Sequence, residues 1–116
     1  MKYGLYLTLT AQLPDDADLL DKVDEVGEQL ALLDARQRSV LDFGLAADVE
    51  TKIVEAQVTV EAPTPEEAMA LGLGLLRTAI HATGAGTPGW EDAAPSAATL
   101  VEFRLDEAAT RPLVAA

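Results

Sequence analysis

Few residues in this chain have types and spacings that could support chemistry or direct a partner. Asp21, Asp24, Glu25 and Glu28 recur at intervals that place them on the outward side of one helix. Carboxylates arrayed in that way either meet a basic protein surface, at a spacing that imitates phosphates, or stand solvated beside a good helix cap. Trp90 is the single tryptophan and lies in a Gly/Pro-rich stretch. There it reads as a plug folded back on its own domain or, alternatively, as an anchor at a protein interface. These five residues are the candidate protein-binding set.

Catalytic and metal chemistry has little to draw on. His81 is the only histidine and cysteine is absent, so no imidazole–thiolate ligand set can be assembled. The carboxylates are not spaced as in a calcium loop. Ser39 and Ser96 are the only serines, and neither sits in a Gly-x-Ser-x-Gly context. The many acids crowd a helix face, whereas paired glycosidase carboxylates must flank a cleft. Gly84-Ala85-Gly86 follows a helix instead of opening one, which does not suit a phosphate loop. The expectation is a protein without catalytic residues, metal or cofactor.

The elements that hold these residues can be read in order. Residues 3–11 alternate Tyr3, Leu5, Leu7 and Leu9 against Gly4, Tyr6, Thr8 and Thr10, the pattern of a half-buried strand. Pro14 ends it, and Asp15 or Asp16 is placed to cap a helix running to about Asp34. Leu19, Val23, Val26, Leu30 and Leu33 form the apolar stripe of that helix. A second strand puts Leu41, Phe43, Leu45 and Ala47 inward and Val40, Asp42, Gly44 and Ala46 outward. A turn at 48–51, lacking Asn-Gly or Asp-Gly, leads to a third strand with Val54, Ala56, Val58 and Val60 inward.

Thr64-Pro65-Glu66-Glu67 is the strongest local signal, an N-cap, a proline in the first helical turn and a capping box. The helix it opens runs to about Thr83, where Gly84 can end it, and its apolar arc is wide. After a Gly/Pro/Ala loop over 84–96, a fourth strand is expected over residues 98–105 with Val101, Phe103 and Leu105 inward. The order strand–helix–strand–strand–helix–strand specifies an α+β fold of the ferredoxin-like, split βαβ kind. It has a four-stranded antiparallel sheet, both helices on one face, and strands one and three at its centre. Residues 1–105 read as one domain and 106–116 as a flexible tail.

The totals narrow the partners. Twenty acids against eight bases give a net charge of −12, which disfavours direct contact with nucleic acid or anionic lipid. No apolar run approaches the roughly 20 residues of a membrane span. The alanine-rich, lysine-poor composition suits an actinobacterial or phage genome, and the missing cysteine a cytoplasmic setting. An RNA-reading sheet would need basic residues and aromatics where this one carries Tyr6, Glu55, Gln57 and Glu102. The functional expectation is a small acidic, non-catalytic protein-interaction or regulatory module, homodimeric through its sheet or second helix. A nucleic-acid-mimicking inhibitor acting through the first helix is the alternative. A dimeric α+β barrel, serving as enzyme or small-ligand carrier, is the third reading. It needs an outer sheet face dry enough to line a cavity, and Glu55, Gln57, Glu61, Glu102 and Arg104 argue against that.

Overall fold

Alternation of apolar and polar residues decides which side of each strand is buried, and the helices follow from that choice. In the computed structural model, which describes residues 1–14, 17–34, 40–88, 90 and 101–113, six elements succeed one another. They are β1 (Lys2–Gln12), α1 (Leu19–Asp34), β2 (Val40–Asp48), β3 (Ile53–Glu61), α2 (Pro65–Ala82) and β4 (Glu102–Leu113). The sheet order is β2-β3-β1-β4 with every neighbouring pair antiparallel. This is the expected ferredoxin-like arrangement, with β1 and β3 central.

Tyr3, Leu5, Leu7 and Leu9 of β1 and Val54, Ala56, Val58 and Val60 of β3 line the covered face and are buried. Leu19, Val23, Val26 and Leu30 of α1 close over them from the β2 side. Each such side chain, fully buried, stabilises the fold by about 1.5–3 kcal/mol. The wide apolar arc of α2 is used inside the domain. Ala68, Gly72, Leu75, Leu76, Ala79 and Ile80 are buried, and Met69, Leu71 and Leu73 lean on the same core. Between the helices and the sheet, a wholly apolar gap of about 10 Å³ remains beside Leu9, Val26 and Phe103.

Helix ends show how local chemistry sets the boundaries. α1 begins later than the sequence suggests, because Asp18 is its cap: Asp18 Oδ1 accepts from the amides of Leu20 (2.9 Å) and Asp21 (3.3 Å). Asp15 and Asp16 lie outside the described residues. Thr64 caps α2 as expected, its hydroxyl accepting from the Glu67 amide at 3.2 Å, and Gly84 ends it at φ +86°. The reciprocal half of the capping box is not formed among the described residues.

Three strand details differ from the sequence reading. A bulge between Val40 and Asp42 turns Val40 into the core and leaves Leu41 exposed, reversing the expected sides of that pair. A second irregularity between Thr8 and Leu9 accommodates Asp106 as an extra residue of β4. Beyond it, residues 107–113 stay paired with β1 as far as Lys2↔Leu113, so the strand continues through residues assigned to a tail. Periodicity misses this because Asp106 shifts the phase and Pro112 falls where a ladder is not expected.

Candidate functional site

Among the described residues, no helix covers the sheet's other face, and there the outward residues decide the surface. β2 offers only Gly44 and Ala46 in its middle, and a Cβ built at Gly44 meets nothing within 4 Å. Gln57 and Glu55 stand opposite them on β3. On β1, Tyr6 pairs with Gln57 and Thr8 with Glu55. Small residues on one strand beside a tall aromatic two strands away leave a groove of about 440 Å³, open to solvent. Its walls and floor combine Tyr6, Thr8, Gly44, Ala46, Glu55 and Gln57.

Tyr6 is held in place by its neighbours. Its ring lies back over Gly4, so a Cβ at Gly4 would come within 3.3 Å of the phenolic oxygen and 3.5 Å of Leu113 Cδ2. Arg111, opposite Gly4 on β4, sets its guanidinium carbon 5.4 Å from the ring centroid. That is cation–π distance, so one face of the ring already carries a cation. Glu107 stands opposite Thr8 on β4, and the other charges sit toward the ends of the face. Glu61 is opposite Lys2, and Arg104 Nε donates to Asp106 Oδ1 at 3.3 Å. The Thr10 hydroxyl bonds to the other Asp106 oxygen, which pins the bulge.

The sequence-predicted residues lie elsewhere. Asp21, Asp24, Glu25 and Glu28 are exposed on α1 and none lines the groove. Glu25 accepts from Lys22 Nζ at 2.9 Å, and the same ammonium donates to the Thr83 carbonyl at 3.2 Å, tying α1 to the end of α2. Trp90 is half-buried against the core, and its indole N–H donates to the Phe103 carbonyl at 2.9 Å. His81 Nε2 is 2.7 Å from the hydroxyl of buried Thr87. Gly86 bridges to the start of β4, so this loop is stitched to the sheet by main chain as well. Ser39, Ser96, Arg36 and Arg38 lie outside the described residues. Among the described residues, no group of three His, Asp or Glu side chains could hold a metal ion. No helix there is long and apolar enough to cross a membrane.

Gly44 and Ala46 were missed as site residues because small side chains carry no chemical signature of their own. Their outward alternation was legible, but the register, which sets them two strands from Tyr6, was not.

No family model matches the chain, and no curated protein sequence does. Among solved structures, it is similar to a protein from Chloroflexus aurantiacus J-10-fl assigned as an antibiotic biosynthesis monooxygenase. The TM-score is 0.50 and the identity 19%, over 100% of this chain and 96% of that one. The likeness agrees with the fold of the described residues. With the groove, it corrects the functional expectation drawn from the acids. The concavity lies on the bare sheet face and the acids of α1 are solvated beside Lys22, so the reading as an acidic protein-interaction or regulatory module is withdrawn.

Proposed function

We propose that the protein binds a small organic molecule on the bare face of its sheet, in the groove beside Tyr6. The observation that supports this most directly is the gap over Gly44 and Ala46, walled by an aromatic ring that packs back over Gly4. A pre-formed recess with a few convergent polar groups, here Thr8, Glu55 and Gln57, is the usual form of a ligand site. The proposal is of binding without turnover: the groove's lining brings together one phenol and one carboxylate, with no imidazole or amine beside them.

A sheet alone gives a floor without a roof, whereas small-ligand sites commonly cover about 70–90% of the ligand. A second copy of the chain meeting the same face supplies the missing cover. Tyr6, Ile53 and Leu113 on that face are 38%, 37% and 39% exposed, apolar area that such a contact would remove from water. The assembly is then a dimeric α+β barrel acting as a small-ligand carrier, and the cysteine-free chain suits a cytoplasmic one.

The test is a fragment screen followed by amide chemical-shift mapping, with Gly44→Leu as control. Fragments should perturb Tyr6, Gly44, Ala46 and Gln57 together, and the leucine should abolish the effect by filling the gap. Fragments that map to the helices, or that bind Gly44→Leu equally well, would refute the assignment.

A further inference from the structure

We infer that the groove selects small organic cations, an ammonium group carried on an aromatic or aliphatic body, over matched anions. This rests on the small-ligand reading above and adds the charge of the ligand to it.

Three observations converge. First, Glu55 is the only charged side chain lining the groove, and it has no ion-pair partner among the described residues. Where the recess continues toward the β2–β3 turn, it gains Asp48 and still no lysine or arginine. Second, the aromatic wall already attracts a cation: Arg111 stands over the Tyr6 ring without a carboxylate partner among the described residues. A ring face that holds a guanidinium will hold an ammonium by the same quadrupole attraction. Third, the two groups are neighbours. Tyr6 pairs with Gln57 and Thr8 with Glu55, so Tyr6 and Glu55 are diagonal partners whose backbone positions are about 7–8 Å apart, and both line the one groove. The ring leans toward Gly4, away from Glu55, so the ligand must span the groove between them, which suits an ammonium carried on an extended aryl or alkyl body. The net charge of −12 adds a field that concentrates cations near the surface and repels anions.

Arg111 is in this account a resident competitor. It occupies the ring until a ligand cation, with Glu55 as its counter-ion, displaces it. The geometry thus makes an unusual demand: removing a positive residue beside the site should tighten cation binding.

The experiment is an NMR titration of the full chain with phenethylammonium, 2-phenylethanol and 3-phenylpropionate, which share a phenyl body and differ in charge. Phenethylammonium should bind tightest and 3-phenylpropionate weakest, with shifts at Tyr6, Gly44, Ala46 and Gln57. Glu55→Gln should weaken the ammonium about ten-fold, the scale of one charge-assisted bond, and leave the alcohol unchanged. Arg111→Ala should strengthen the ammonium about three-fold, the scale of one exposed cation–π contact. Equal or tighter binding of 3-phenylpropionate, a loss of ammonium affinity in Arg111→Ala, or no ammonium binding overturns the inference. Binding of the alcohol or the anion in the groove would meanwhile sustain the parent reading, and failure of the wider fragment screen would remove it.

Discussion

Gly72 of α2 sits directly above Leu5 of β1, so close that a Cβ at Gly72 would fall 2.6 Å from Leu5 Cδ2. Leu5 is fully buried in the middle of the sheet, so it can give way only by displacing other core side chains. The glycine therefore sets how closely the second helix lies on the sheet. Gly72→Ala should improve intrinsic helix propensity by about 1 kcal/mol and still destabilise the protein, because overfilling a tight core costs about 1–3 kcal/mol. Gly74, two residues on, faces open space. Gly74→Ala should accordingly stabilise by a few tenths to about 1 kcal/mol. Urea unfolding of the two variants checks the pair, and equal effects would show that α2 does not approach the sheet as described.

The β2–β3 turn holds a backbone strain that one substitution should relieve. Asp48 Oδ1 accepts from the amides of Glu50 (2.9 Å) and Thr51 (3.3 Å), and the Lys52 amide returns to the Asp48 carbonyl at 2.9 Å. Closing the turn this way puts Lys52 at φ +63°, a left-handed conformation that glycine adopts at little cost. Lys52→Gly should raise stability by about 0.5–1 kcal/mol, less whatever the more flexible unfolded chain recovers. A higher midpoint in thermal or urea unfolding is the expected result. Asp48→Ala, which removes the side-chain acceptor, should lower it.

That turn also shows how far the sequence could be read. Alternation in 3–11 and 52–62 and the cap at Thr64 report the central strands and second helix directly, because burial and amide satisfaction act on neighbouring residues. Bulges at Leu41 and Asp106 leave no such local mark, and each shifts a strand's phase by one residue. The site suffered a related blindness. Glu55, Gln57, Glu61, Glu102 and Arg104 make the outer face wet on average, yet only the first two line the groove. Register places Glu61 opposite Lys2 at one end and Arg104 opposite Thr10 beyond the bulge. Composition along a strand cannot show that two small residues and a tyrosine cluster between those ends.

Lys22 is the one base of α1, and its ammonium links two helices, donating to Glu25 at 2.9 Å and to the Thr83 carbonyl at 3.2 Å. The second contact satisfies a carbonyl at the negative end of α2, where a cation is favoured. Lys22→Met keeps most of the aliphatic stem and should cost about 1 kcal/mol, the worth of one such hydrogen bond. Glu25→Gln removes only a surface ion pair and should cost less than about 0.5 kcal/mol. Comparison in 0.05 and 0.5 M salt separates the two. The Glu25→Gln difference should vanish in high salt, and the Lys22→Met difference should persist.

The bare sheet face gives the most informative substitution, Ala46→Glu. Ala46 lies in the floor of the groove, opposite Glu55 on β3. A glutamate there points outward from an edge strand, so folding should be undisturbed apart from repulsion between two carboxylates across the ladder, about 0.2–1 kcal/mol. An association that buries this face would carry that repulsion into a drier setting, where like charges cost far more than in water. Sedimentation velocity should find the unaltered chain as a dimer and Ala46→Glu as a monomer with the same circular dichroism spectrum. Ligands that depend on the second copy for their cover should then bind Ala46→Glu at least ten-fold more weakly, a loss of about 1.4 kcal/mol. A variant that remains dimeric would place the subunit contact on another surface, and the groove would have to retain its ligand with one wall open to water.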